Sequence, residues 1–206
     1  MNTTAKQTVF VVDDEPDVRA ALRLLIKSVG YQVDCYESAD DFFSQYEPDR
    51  QGCLILDVRM PGMSGMDLQE KLTASQALLP IIMISGHGEI PMAVKAVQNG
   101  AIDFLQKPFS DQQLLDRIAQ ALELDRSRRL EQSEKHTVQE KFDSLTPREK
   151  EILNEVVAGK LNKVIAYDLG ISTRTVEIHR ANAMDKMQAR NLSELIYMSN
   201  LLNARV

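Results

Sequence analysis

The chain has 206 residues, of which 44% are hydrophobic and 26% charged, with a formal net charge of −6. That length exceeds one average domain and suggests two of roughly 100–200 residues each, and the composition excludes a fibrous or wholly disordered chain. The charge is unevenly spread, −9 over residues 1–125 and +3 over 126–206, so a nucleic-acid clamp is excluded from the first half but compatible with the second. No apolar stretch approaches the roughly 20 residues needed to cross a bilayer, so no membrane partner is expected. The opening MNTTAKQTVFVVDDEP lacks the apolar region and cleavage site of an export signal, which points to the cytoplasm. Cys35 and Cys53 form no CxxC and have no His partner at metal spacing. They read as buried thiols in a reducing compartment.

In chain order, the first half alternates two patterns. Short apolar runs at 8–12, 32–36, 53–56, 80–84 and 101–105 are separated by helical spacing at 16–28, 39–46, 65–73, 91–99 and from 111 onward. This repeat predicts βαβ units, right-handed crossovers and a doubly wound α/β domain with helices on both faces of a five-stranded parallel sheet. Beyond Leu124 the apolar stripe thins into DRSRRLEQSEKHTVQEK. Residues 126–143 are expected to be a solvated, partly helical linker continuing the last helix, without the sustained heptads of a coiled coil. The remainder holds only helical patterns. Thr146, Pro147 and Glu149 open the first of these helices as cap, first residue and capping-box partner. Helices over about 162–169, 173–187 and 191–202 complete a four-helix bundle. The expected organisation is therefore 1–125, a linker 126–143, and 144–206.

Ligands of doubly wound sheets sit beyond the carboxyl ends of the strands, where this chain gathers polar residues. The first strand ends in Asp13 and Asp14, the third in Asp57 and the fourth in Ser85, and the fifth is followed by Lys107 and Pro108. Adjacent carboxylates raise one another's pKa unless a cation intervenes. Oxygen donors suit a hard cation such as Mg²⁺, which bridges to phosphate oxygens. The set suits an Asp nucleophile attacking a phosphoryl donor, with Lys107 as a fixed positive charge. Asp13 or Asp14 alone would read as a helix-capping carboxylate; the whole set at successive strand ends favours a site.

VVDDEP, LDVRMPGMSG, ISGHG and FLQKPF, in this order and spacing, resemble the receiver domain of two-component response regulators over roughly residues 8–125. The resemblance implies a CheY-like sheet of order 2-1-3-4-5 and a phosphoryl group accepted on Asp57. It implies Mg²⁺ bound by Asp14, Asp57 and the backbone carbonyl of Arg59, with Asp13 holding a water ligand. Lys107, before a cis Pro108, and Ser85 would bind the phosphoryl group. Ser85 and Phe104 match the switch positions. Without the Asp57 pocket, Phe104 would be a plain core aromatic.

In the second half, NKVIAYDLGISTRTVEIHRA (162–181) fits a helix-turn-helix. Ala166 is small at the crossing and Gly170 is in the turn, while Ile165, Leu169, Ile171 and Val176 lie between the helices. On the second helix Val176, Ala183 and Met187 share one face; Arg174, Ile178, Ala181 and Asp185 lie opposite, flanked by Thr175 and Glu177. That outward face is polar and small enough for a major groove. Lys163, Arg180, Lys186 and Arg190 are expected at phosphates. LTPREKEIL and the segment after it resemble the LuxR-type output domain. With SGHGEIPMAVKAV, the whole chain resembles the FixJ subgroup of response regulators. The wider family often carries Lys where this chain has Glu177, and a carboxylate there can accept from cytosine N4.

The resemblance implies a phosphorylation-activated transcription regulator. Its partners would be a sensor histidine kinase, promoter DNA and RNA polymerase, with a homodimer formed through the 90–125 face and reading a two-fold symmetric site. Its only catalysis would be its own phosphoryl transfer and dephosphorylation. Two other classes compete. A Mg²⁺-dependent aspartyl phosphohydrolase would need a second acid two residues after the nucleophile, where Arg59 stands. A protein-binding adaptor with a helical tail would show no salt-sensitive, sequence-selective DNA retention.

Overall fold

The computed structural model describes residues 7–86 and 90–203; His87 and Gly88 of the ISGHG motif, and Glu89 after it, lie outside them. Five strands, β1 (Thr8–Val12), β2 (Gln32–Tyr36), β3 (Gly52–Asp57), β4 (Ile81–Ser85) and β5 (Asp103–Gln106), alternate with α1 (Pro16–Ser28), α2 (Ala39–Gln45), α3 (Gly65–Ala74), α4 (Ile90–Gln98) and α5 (Asp111–Asp143). All strand pairs are parallel, in the order β2-β1-β3-β4-β5, the arrangement expected from the sequence.

Side chains alternate across a strand, so each strand feeds two cores. Phe10, Val12, Leu54, Leu56 and Met83 pack with Phe42, Leu68, Leu72 and Ala96 of α2, α3 and α4. Val9, Val11, Cys53, Ile55, Ile82 and Ile84 pack with Leu22, Ile26, Leu114 and Ile118 of α1 and α5. This double burial explains why β3 and β4 read as unbroken apolar runs. The fifth strand begins two residues later than expected, because its ladder pairs Ile82–Ser85 with Asp103–Gln106. Cys35 is a correction: it is half-buried, and only Cys53 is fully enclosed, because β2 is an edge strand.

The chain divides into two compact units between Arg129 and Leu130. α5 nonetheless runs unbroken from Asp111 to Asp143, so the stretch expected to be partly helical is helical throughout. It contains no Gly or Pro, the residues that most weaken a helix interior. The second unit holds α6 (Pro147–Val157), α7 (Asn162–Asp168), α8 (Thr173–Met187) and α9 (Leu192–Asn203). Thr146 and Glu149 make the expected capping box at the start of α6. Ile152, Leu153, Val156, Ile165, Val176, Ala183, Met187 and Leu195 form the core, joined by Val138 and Phe142 from the end of α5. The last turns of that helix are therefore part of the bundle.

Candidate functional site

Strand register assembles the acidic pocket. Val12 pairs with Leu56, which brings Asp13 level with Asp57. Asp57 pairs with Ile84, and Ser85 with Gln106, so Ser85 and Lys107 fall one step beyond their neighbours. Asp13 is wholly buried, Asp57 is 5% exposed and Ser85 1% exposed. Lys107 Nζ lies 2.8 Å from Asp13 Oδ2 and 2.8 Å from Asp57 Oδ1, with Glu15 Oε1 at 3.8 Å. The Arg59 amide donates to Asp57 Oδ2 (2.7 Å) and the Glu15 amide to Asp13 Oδ1 (2.9 Å). The Lys107 amide donates to the Ser85 carbonyl (2.8 Å), and the Lys107–Pro108 peptide is cis. Behind the pocket, a Cβ at Gly65 would come within 2.1 Å of the Asp57 carbonyl oxygen; only glycine lets α3 start this close.

Burial pushes the Asp57 carboxyl above its ordinary value. The Lys107 hydrogen bond and charge oppose this, the Asp13 charge adds to it, and the Arg59 amide works against it. Burial acts against the Lys107 ammonium, but its bonds to Asp13 and Asp57 outweigh that and raise its pKa. A buried carboxylate perturbed by its neighbours and held by one shared cation is the kind of group that marks a candidate functional site. Asp14 is half-exposed beside Asp13 and Arg59 is exposed. Among the described residues no cluster of three or more His, Cys, Asp or Glu side chains forms a ready-made metal cage. Mg²⁺ does not need one, since it is usually held by one or two carboxylates with waters and substrate phosphate. Phe104 pairs with Met83 and packs, half-buried, against the α2–α4 side of the sheet.

In the second unit, α8 is oriented by its buried face. Val176, Ala183 and Met187 are enclosed, whereas Arg174, Glu177, Ile178, Ala181 and Asp185 are exposed. Ile178 is 52% exposed on this otherwise polar and small surface. Gly170, at φ +64°, makes the turn before it, and Ser172 Oγ caps it by accepting from the half-buried Thr175 amide. Lys163 and Arg190 are exposed. Arg180 is half-buried and donates to Asn162 Oδ1 at 3.0 Å. Lys186, expected at a phosphate, donates to Glu149 Oε2 at 2.7 Å. That contact, then the Thr146 amide, lowers the Glu149 pKa to about 2. The local sequence marks Glu149 only as a cap; its partner 37 residues away leaves no local signal.

Residues 9–119 match the family described as "Response regulator receiver domain", and 143–199 match "Bacterial regulatory proteins, luxR family". The chain is a response regulator. It joins a receiver domain to a LuxR-type DNA-binding domain. The regulator is 45% identical over 199 residues to Nodulation protein W of Bradyrhizobium diazoefficiens, covering 97% of this chain and 88% of that one. It is 42% identical to the transcriptional regulatory protein FixJ of Rhizobium meliloti, covering 93% and 94%. The solved structure of the response regulator StyR superposes with a TM-score of 0.83 at 46% identity, covering 95% of this chain and 99% of that one. No described helix of the regulator is long and apolar enough to cross a membrane.

Proposed function

We propose that Asp57 accepts a phosphoryl group from phosphohistidine on a sensor histidine kinase, and that this event promotes promoter binding through α8. The observation that carries the reading is the convergence of Asp13, Asp57 and Lys107 within 2.8 Å contacts at the strand ends. A carboxylate oxygen of Asp57 forms a bond to phosphorus as the N–P bond breaks, and the departing imidazole nitrogen takes a proton. Lys107 places a fixed cation beside the developing charge. The donors fit Mg²⁺: Asp14, Asp57 and the Arg59 carbonyl are oxygen ligands of the preferred kind. Asp13, wholly buried beside Asp57, would hold a water ligand of the ion. When bound, the ion neutralises charge on the transferring phosphoryl oxygens.

The new phosphoryl group offers Ser85 a charge-assisted acceptor. Movement of Ser85 toward it vacates space for Phe104, and the 90–125 face changes shape. On that face α4 exposes Ile90 (80%), Val94 (49%) and Val97 (52%), an apolar stripe of helical spacing that supports dimer formation on phosphorylation. Residues 1–125 then serve as the receiver, 126–143 as the linker and 144–206 as the reader. Arg174, Thr175, Glu177, Ile178 and Ala181 face base edges, and Lys163, Arg180 and Arg190 face phosphates. Lys186, tied to Glu149, contributes less. The bound dimer acts in the cytoplasm with RNA polymerase as partner. The test is a small-molecule phosphodonor with Mg²⁺, comparing wild type with Asp57→Asn by intact mass and DNA binding. Mass gain and tighter DNA binding in wild type alone are expected; mass gain without tighter binding refutes the switch.

A further inference from the structure

A further buried carboxylate lies at the start of β3, the end opposite Asp57. Asp125, in α5, is wholly buried. Its Oδ2 accepts from the Gly52 amide (2.9 Å) and Gln7 Nε2 (3.1 Å), and its Oδ1 from Arg129 Nε (2.7 Å). Arg129 also donates to the carbonyls of Arg50 (2.7 Å) and Pro48 (3.2 Å), and Gln7 to that of Leu122 (2.7 Å). A Cβ at Gly52 would fall 1.7 Å from the Thr8 carbonyl oxygen, so only glycine admits its amide here. One knot thus ties the starts of β1 and β3, the loop before β3, and α5.

Its place along α5 is informative. Upstream, Leu114, Ile118, Ala121 and Leu122 hold the helix on the sheet by apolar packing. Downstream, no side chain from 130 to 137 is buried, and the next enclosed residue is Val138. Among the described residues, the knot is the most C-terminal polar anchor of α5 within the first compact unit, which ends at Arg129. Apolar packing tolerates sliding, whereas a satisfied buried polar network specifies one geometry. A buried ion pair is weak evidence for stability and is better attested as a device for register.

We infer that Asp125 and Arg129 are positioning residues that clamp α5 in register on the base of β3, so that a change begun at Asp57 passes into the helix beyond Arg129. Without the clamp, residues 123–129 loosen from the sheet and the change is lost there. This inference rests on the reading of Asp57 as phosphoacceptor. The test uses full-length protein, acetyl phosphate with Mg²⁺, and a DNA site selected from a random pool by phosphorylated wild type. Arg129→Gln and Asp125→Asn are compared with wild type for intact mass and for the ratio of DNA affinities with and without phosphorylation. Mass gain like that of wild type with a ratio within twofold of one is expected in both variants. A ratio nearer that of wild type overturns the inference. So does loss of phosphoryl uptake in a folded variant, because the knot would then serve the pocket. Arg129→Gln leaves Asp125 its Gly52 and Gln7 donors, so it decides alone if Asp125→Asn unfolds. A wild type that gains no mass, or gains it without tighter DNA binding, fails the earlier reading and takes this one with it.

Discussion

The proposed phosphoacceptor pocket and the outward face of α8 are built in opposite ways. In the pocket, buried Asp13 and Asp57 share one lysine, and each carboxylate oxygen has an assigned donor. Electrostatics are stronger there because both carboxylates are buried. On α8 Arg174, Glu177, Ile178 and Ala181 stand in solvent, whereas Thr175 is half-buried with its hydroxyl paired to that of Ser172. A preorganised buried site depends on single residues, whereas an exposed face spreads its binding energy over many. The predicted variants probe that difference.

The largest effect is expected at Asp57. Asp57→Asn abolishes phosphoryl uptake, read as absence of the mass increment. Lys107→Ala comes next, slowing uptake by about 10²-fold, the usual cost of losing one preorganised stabilising group; uptake at the wild-type rate would break the contrast. On the other surface, Lys163→Ala and Arg190→Ala weaken DNA binding only severalfold each, and each lowers the slope of log affinity against log salt by about one. Glu177→Ala shifts preference at one base pair by about 1–3 kcal/mol, measured on a randomised site. No change in base preference would remove Glu177 from readout.

The smallest effect is the contribution of Glu149 to stability. Its folded-state pKa is depressed to about 2, so the stabilisation is present above its ordinary carboxyl value and is lost as pH falls toward the folded value. Glu149→Gln is therefore less stable than wild type at neutral pH, and the gap closes below about pH 4.5, the ordinary value. Denaturant titrations at pH 7 and pH 2.5 measure it; a constant gap would dismiss the Lys186 contact as its source.

The pocket was legible because its residues follow directly on strands, so the period-two pattern and the strand ends place them without knowledge of tertiary contacts. The α8 face was legible for the same reason, since Val176, Ala183 and Met187 fix its rotation. What escaped were partners made by folding. Asp125 sits in a stretch whose charges all look solvated, and its burial depends on Gly52, 73 residues earlier. Lys186 has the sequence context of a phosphate contact, and only the approach of α6 ties it to Glu149. The fifth strand was placed early because Ala101 and Ile102 are apolar like a strand, while the ladder to β4 begins at Asp103.

The most direct test of the central claim is a single titration: DNA affinity of full-length protein against the fraction of chains carrying one phosphoryl group on Asp57. Affinity rising with that fraction, and flat for Asp57→Asn under the same phosphodonor, is the predicted result. Wild-type affinity that stays constant while the phosphorylated fraction climbs would contradict it.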